Sequence, residues 1–154
     1  MTDSLQVYLC DHLMGAQFAI SLLQDLSQQS LDPTVASFSA EIVREIEADR
    51  DILRTYQERI GGTESPWKNM SGWVAQKASR FKLQLSEPMG LFEAFEMLAL
   101  GVLGKLALWE VLKSLRETNV HPVDLDLERL IDRARKQHFE IEAMRLRLAL
   151  QALI

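Results

Sequence analysis

Six acidic and histidine side chains have the residue types and spacing to bind a metal ion. They are His12, Glu45, Asp49, Glu96, His138 and Glu142. Glu45 and Asp49 are four residues apart, as are His138 and Glu142, and helical spacing puts the two members of such a pair about 6 Å apart on one face. Carboxylates and imidazoles are ligands of Fe, Mn and Zn. One hypothesis is therefore a metal centre with an open coordination position for redox chemistry.

The same residue types can instead form buried ion pairs. Asp49 lies on the apolar stripe of a predicted second helix, with Glu45 at the edge of that stripe. A buried charge has to be paired, because its desolvation costs several kcal/mol. Lys105 and Arg145 lie at inward positions of two other predicted helices and can neutralise the acids without a metal. The predicted structural polar cluster consists of His12, Glu45, Asp49, Lys105, His138, Glu142 and Arg145.

Four long helices are predicted to position these residues. Apolar residues recur at helical spacing in four segments, whose ends are marked by capping residues, proline and glycine. The predicted helices cover about Asp3 to Gln29, Asp32-Pro33 to Gly61-Gly62, Pro88 to Glu117, and Asp124 or Asp126 to the C-terminus. The third helix is apolar nearly all round, which predicts burial on more than one side. We expect an all-α four-helix bundle that forms one domain over residues 1–154.

The connection between the second and third helices predicts a fifth, crossing helix. It takes about 26 residues, many more than a turn between antiparallel neighbours needs, and residues 67–85 follow an amphipathic helical pattern. A ferritin-like bundle has a long crossover at this point in the chain. The segment also carries four basic residues and no acidic one, namely Lys68, Lys77, Arg80 and Lys82. It is therefore also a candidate for binding an anionic surface or an acidic partner.

The arrangement of four helices, a helical crossover and inward acids and histidines resembles the ferritin-like superfamily. The stretches "YLCDHLMGA", "EIVREIEADRDIL", "LALGVLGKLALW" and "QHFEIEAMRLRLA" are similar to a family of small uncharacterised bacterial ferritin-like proteins, over most of the chain. The resemblance implies the fold and no particular activity. Ferritin-like di-iron proteins carry a Glu on each of two helices and Glu-x-x-His on each of the other two. This chain departs from that pattern, because it contains no Glu-x-x-His.

Helix geometry predicts which candidates share a layer of the bundle. With about 1.5 Å of rise per residue and helices centred near residues 15, 46, 103 and 140, His12, Asp49 and His138 lie at similar heights. The nearest residue of the third helix is Lys105, a cation where a metal site needs an anion. Glu96, by contrast, lies outside this layer. The layer therefore favours an ion-pair network over a metal centre.

Composition and termini exclude several classes of function. The formal net charge of -5 gives no general attraction to nucleic acid. The N-terminal sequence "MTDSLQVYLCDHL" has no basic region followed by an apolar run, and Cys10 is the only cysteine, so we expect a cytoplasmic protein without a disulfide. The most apolar segment, residues 97–112, is interrupted by Lys105 and Glu110 and is too short for a transmembrane helix.

No catalytic template is complete, and no catalytic or cofactor-binding residue is predicted. The sequence has no Gly-rich phosphate loop, His-Glu-x-x-His motif or nucleophile elbow. The leading hypothesis is a non-catalytic or degenerate ferritin-like protein whose inward polar cluster is mainly structural. One alternative is an Fe-, Mn- or Zn-binding protein with redox activity. A second is an interaction module that forms homo-oligomers through the side of the third helix that carries Gly101 and Gly104.

Overall fold

A computed structural model describes residues 2–61, 85–119 and 121–154 of the chain. It contains helices α1 (Thr2–Gln29), α2 (Pro33–Gly61), α3 (Pro88–Glu117) and α4 (Leu127–Leu153), and no β-strand occurs in the described ranges. The predicted helix ends lie within three residues of these bounds, so the all-α class is confirmed. The predicted fifth helix and its basic residues lie outside the described residues, apart from Leu85.

Two aspartates cap helix starts by accepting backbone N–H groups that have no partner inside the helix. Asp32 Oδ1 accepts from the N–H groups of Thr34 at 2.8 Å and Val35 at 3.3 Å. At the start of α4, Asp126 Oδ1 accepts from the N–H of Arg129 at 3.2 Å. Such caps typically stabilise a helix by about 1 kcal/mol. The local sequence therefore determines where α2 and α4 begin.

The helices form two antiparallel hairpins. In the first hairpin, Gln57 near the end of α2 donates from Nε2 to Gln6 near the start of α1, at 2.8 Å. In the second, Arg145 of α4 pairs with Glu96 of α3 at 3.0 Å, and further along Arg135 pairs with Glu110 at 3.5 Å. Residue numbers rise along one helix of each pair as they fall along the other, so both hairpins are antiparallel.

The two hairpins pack side by side, with α1 against α3 and α2 against α4. Arg147 of α4 reaches Asp32 at the start of α2, with 2.9 Å between Nη2 and Oδ2, so these two helices are antiparallel as well. Because α3 and α2 are each antiparallel to α4, α2 and α3 run in the same direction. The end of α2 and the start of α3 consequently lie at opposite ends of the bundle.

Two apolar clusters fill the bundle, one towards each end, and each takes side chains from all four helices. The first includes Leu23, Ile42, Phe95 and Leu148. The second includes Leu13, Tyr56, Leu112 and Leu130. Fully burying a side chain of this size is worth about 1.5–3 kcal/mol, so these clusters are the main source of stability. The change from one cluster to the other occurs along α2 between Ile46 and Leu53, where Asp49 lies.

The outer side of α3 is not covered by the other described helices. Leu100 is 65% exposed, and Leu103 and Met97 are also exposed. This helix packs against both α4 and α1, as its apolar pattern predicts, but the pattern also continues onto a face that the other described helices leave exposed. None of the described helices is both long enough and apolar enough to cross a membrane.

Candidate functional site

Asp49 lies in the layer between the two apolar clusters and is bound by two cations. Its side chain is almost fully buried, with the residue 2% exposed. Lys105 Nζ of α3 donates to Asp49 Oδ2 at 2.6 Å, and Arg133 Nη2 of α4 donates to Asp49 Oδ1. Each carboxylate oxygen therefore has a positively charged partner. Asp49 needs such partners because it lies on the apolar stripe of α2, and a buried charge has to be paired.

Gln137 connects this ion pair to a second acid. The amide is fully buried, at 0% exposure, and its Nε2 donates to Glu45 Oε2 at 3.0 Å and to Asp49 Oδ2 at 3.3 Å. Its Oε1 accepts from Lys105 Nζ. We call Glu45, Asp49, Lys105, Arg133 and Gln137 the Asp49 network. Its two acids and two cations balance when all four are charged.

The protonation of Lys105 depends on its partners. Burial lowers the pKa of the Lys105 ammonium, since a low-dielectric interior disfavours its charged form. The neighbouring Asp49 carboxylate raises this pKa, and Arg133 lowers it further by repulsion. The net pKa of Lys105 is lowered, and Asp49 is the main group that opposes this shift.

Arg145 holds a second, separate group of the predicted residues. It pairs with Glu96 at 3.0 Å and makes a two-pronged contact with Glu142, at 2.6 Å from Nη2 and 2.8 Å from Nε. The hydrogen bonds from Arg145 lower the pKa of Glu142, and the charge of His138 acts in the same direction. The predicted polar cluster is therefore divided: Glu45, Asp49 and Lys105 lie in the Asp49 network, whereas Glu142 and Arg145 belong to this outer group.

The positions of the candidate metal ligands do not fit an Fe, Mn or Zn centre. No group of three or more His, Cys, Asp or Glu side chains within residues 2–61, 85–119 and 121–154 is arranged to hold a metal ion. Asp49 is engaged by two cations, and Glu96 and Glu142 share Arg145. A metal at any of these carboxylates would have to displace a cation that already neutralises it.

A cavity of about 240 Å³ lies on the other side of Asp49, between α1, α2 and α3. The residues that border it on α1 and α3 are mostly small or apolar, including Gly15, Ala16, Ala19, Gly101, Val102, Gly104 and Leu108. A Cβ atom added at any of these three glycines would meet no atom within 4 Å. Gly101 and Gly104 therefore border open space, and no described helix packs closely on them.

His12 and Trp109 border the cavity. His12 is half-buried, and its ring makes an edge contact with Tyr8, with 4.7 Å between ring centroids. Burial lowers the pKa of His12 below its usual value, although Asp11 opposes the shift. Trp109 is 1% exposed, and its indole Nε1 has no hydrogen-bond partner in the part of the chain that the structure describes. His12 thus lies beside the cavity rather than in the Asp49 network.

The sequence prediction missed Arg133 and Gln137 as partners of Asp49. A signal for Gln137 was present, because Ala134, Gln137 and Ile141 recur at the spacing of one helix face and all three are buried. The prediction includes the neighbouring His138 instead, yet one residue rotates a side chain by about 100° around the helix axis. For Arg133 no signal exists in the apolar pattern, because a long side chain can reach inward from the edge of a stripe.

Comparisons of this chain with known protein families, with curated proteins and with solved structures found no match. The functional proposals below therefore rest on the geometry of the site.

Proposed function

We propose that this protein is a non-catalytic, ferritin-like helical bundle in which the Asp49 network is a structural ion-pair network. The observation that carries this proposal is the pairing of both Asp49 carboxylate oxygens, one with Lys105 and one with Arg133. A general base or metal ligand needs a free lone pair directed at a substrate or a metal. Asp49 has its oxygens directed at cations of the same chain.

The network joins the two hairpins. Asp49 and Glu45 belong to α2 of the first hairpin, whereas Lys105, Arg133 and Gln137 belong to the second. Removing one partner of a buried pair typically costs about 3–5 kcal/mol, since the remaining charge stays buried without compensation. The ferritin-like part of the proposal is supported by the order of the helices and by the common direction of α2 and α3, which requires a long connection.

Elemental analysis combined with one substitution tests this proposal. Untagged protein, purified without chelator and then incubated with Fe(II), Mn(II) or Zn(II), is expected to contain no stoichiometric metal by mass spectrometry. Asp49→Asn is expected to lower the free energy of unfolding by about 3 kcal/mol, measured by urea denaturation.

Asp51→Asn is the matched control. Asp51 is on the same helix, is exposed, and pairs with Arg50 at 3.0 Å, so its loss is expected to cost less than about 1 kcal/mol. Near-stoichiometric metal that is lost in Asp49→Asn but kept in Asp51→Asn would contradict the structural proposal. That result would establish the metal-binding alternative instead.

A second candidate function is self-association through an exposed apolar surface, the outer α3–α4 face, formed by Leu100, Leu103, Phe139 and Leu146. Leu100 and Phe139 are 65% and 76% exposed. Leu100 and Leu103 lie between Glu96 and Glu110 in sequence, and Phe139 lies between the two arginines that pair with these acids, Arg135 and Arg145. These three apolar residues therefore lie between the two ion pairs that connect α3 to α4. Exposed apolar patches of this kind often mark protein interfaces.

Light scattering coupled to size-exclusion chromatography tests self-association. We expect a dimer whose dissociation constant rises when Leu100 and Phe139 are both replaced by Lys, because two charges would have to be buried at the interface. Val7→Lys, at an exposed apolar position on α1, is the control and should leave the dimer intact. A monomer at all accessible concentrations would contradict this candidate.

A further inference from the structure

The outer side of α4 carries a second apolar stripe, separate from the one that faces the bundle core. Its members are spaced alternately by four and three residues, and all are exposed: Phe139, Ala143, Leu146, Leu150 and Leu153. We call these five residues the α4 seam. The residues that α4 buries in the bundle are a different set, which includes Gln137, Ile141, Met144 and Leu148. The other described helices therefore cover only one of the two apolar sides of α4.

Alternating spacings of four and three residues are the pattern of a contact between two helices that lie side by side. Apolar residues that recur on average every 3.5 residues stay on one side of a helix, where each inserts between side chains of the partner helix. No described helix of this chain fills that role, because the four large side chains of the seam are each more than half exposed. The spacing therefore predicts that a further helix packs along the seam.

The charges beside the seam indicate what that helix is. Glu140 and Arg147 are seven residues apart, which places them on the same flank of the seam. Two copies of α4 that run in opposite directions bring equal flanks together, so Glu140 of each copy lies near Arg147 of the other. Residues on the flanks of such seams set partner choice and orientation through interhelical ion pairs. The flank of the α4 seam is thus complementary to itself.

Lys136 disfavours a parallel pair. It is exposed and lies three residues before Phe139, at the next position of the same pattern. Parallel copies would place each seam position against itself, so the two Lys136 side chains would repel each other. Antiparallel copies place Lys136 near Leu153 instead, where its aliphatic stem can cover the apolar side chain.

We propose that the α4 seam is the contact surface for a second copy of this chain, whose α4 packs against it in the opposite direction. The two-fold axis then passes between Ala143 and Leu146, and both copies use the same patch, as in other two-fold dimers. The proposal rests on the self-association candidate above and specifies its geometry. Leu100 and Leu103 of the outer α3–α4 face lie beside this contact.

The size of the seam fits a reversible dimer. Burying a leucine-sized side chain removes roughly 100 Å² of apolar surface from water. The four large seam side chains are 53–76% exposed, so they offer roughly 250 Å² in each copy. This is less than half of the about 800 Å² that each partner buries in a standard interface. Flanking side chains add to it, and we expect an affinity at the micromolar end of the range for such interfaces.

Site-directed cross-linking tests the geometry. Single cysteines are placed in full-length Cys10→Ser protein, and a short bis-maleimide is added at concentrations at which light scattering shows a dimer. Leu146→Cys lies close to the two-fold axis and should form covalent dimers with itself. Leu153→Cys should form few, because the antiparallel copies hold this position roughly 25 Å apart along the helix axis.

Two further samples complete the experiment. An equimolar mixture of Phe139→Cys and Leu150→Cys should cross-link more than either variant alone, since the antiparallel arrangement places these two positions opposite each other. Val7→Cys, at an exposed apolar position of α1, is the matched control and should form no covalent dimer. Circular dichroism verifies that each variant is folded.

The outcomes separate this proposal from the self-association candidate. A dimer that no seam cysteine cross-links would overturn the α4 contact and leave self-association through another surface. Self-cross-linking of Leu153→Cys as efficient as that of Leu146→Cys would overturn the antiparallel direction. A monomer at all accessible concentrations would overturn both proposals, and slow reaction of Leu146→Cys with maleimide in that monomer would show that the chain covers its own seam.

Discussion

The two sides of Asp49 differ in how their interior is filled. Towards α4, Arg133 and Gln137 fill the interior, and every charge of the Asp49 network faces an opposite charge or an amide. Towards α1, the interior is open, bordered by glycines and alanines, and the Trp109 donor is unpaired among the described residues.

This difference separates two kinds of interior. On the α4 side every charge has a partner, so the contribution of the network is to hold the helices together, and Arg133 Nε stays buried without a hydrogen-bond partner among the described residues. The α1 side has room for a molecule, and a molecule that binds there in the folded state alone would stabilise the fold. Residue type alone would suggest a binding site on the α4 side, because that side contains the carboxylates.

The largest effect is expected when the paired side is left with uncompensated charge. Asp49→Leu should lower the free energy of unfolding by about 3–5 kcal/mol, because Lys105 and Arg133 then stay buried without a counter-charge. Replacing the two cations by Met in the same chain should recover most of this loss, since an apolar replacement of a buried ion pair is often neutral. Urea denaturation measures both variants. A triple variant as unstable as Asp49→Leu would show that charge pairing is not what this side contributes.

A smaller effect is expected on the open side. Gly104→Ala should raise the free energy of unfolding by about 1 kcal/mol, because Ala favours the helix and the added methyl enters open space. Gly61→Ala is the contrast: its methyl would meet the side chain of Gln6, which accepts a hydrogen bond from the buried Gln57. Loss of that bond, worth about 1 kcal/mol, should cancel any gain. Thermal melts compare the two, and a loss of stability in Gly104→Ala would mean that the space is not available.

The smallest effect is expected in how the free energy of unfolding depends on pH through His12, which borders the open side. Burial lowers the pKa of His12 below its ordinary value of 6.5, so the unfolded chain binds this proton more readily than the folded one. The stabilising contribution of neutral His12 is therefore present above pH 6.5 and is lost as the pH falls through the lowered pKa of the folded state.

Two histidine variants isolate this contribution. His12→Gln should reduce the decrease in the free energy of unfolding between about pH 7 and pH 5, measured by urea denaturation at each pH. His121→Gln, in the connection between α3 and α4, should leave that decrease unchanged. An equal decrease in the unsubstituted protein and in His12→Gln would contradict the effect of burial on His12.

Much of the helical architecture could be predicted because its signals are local. The start of α2 was predicted from Asp32 and Pro33, which act on the first turn of one helix. The buried position of Asp49 followed from the apolar residues on either side of it, and its pairing with Lys105 agrees with the heights estimated from helical rise.

The remaining features depend on distances between helices, which no local pattern encodes. Glu142 and Arg145 are three residues apart, so their pairing is satisfied within α4, and the predicted contact with the Asp49 layer does not form. The cavity could not be predicted either, because glycine and alanine permit close packing of two helices as well as a gap. Only the distance between α1 and α3 distinguishes close packing from a gap.

The division of charge between the hairpins has a consequence for how the chain folds. The first hairpin carries the acids Glu45 and Asp49, and the second carries Lys105 and Arg133, which repel each other. Sliding one hairpin past the other by a single helical turn, about 5.4 Å, would keep apolar surfaces in contact but would separate Asp49 from both cations. Hydrophobic collapse alone tolerates such shifted dockings. The Asp49 network penalises them, so it favours the alignment in which Asp49 meets both cations.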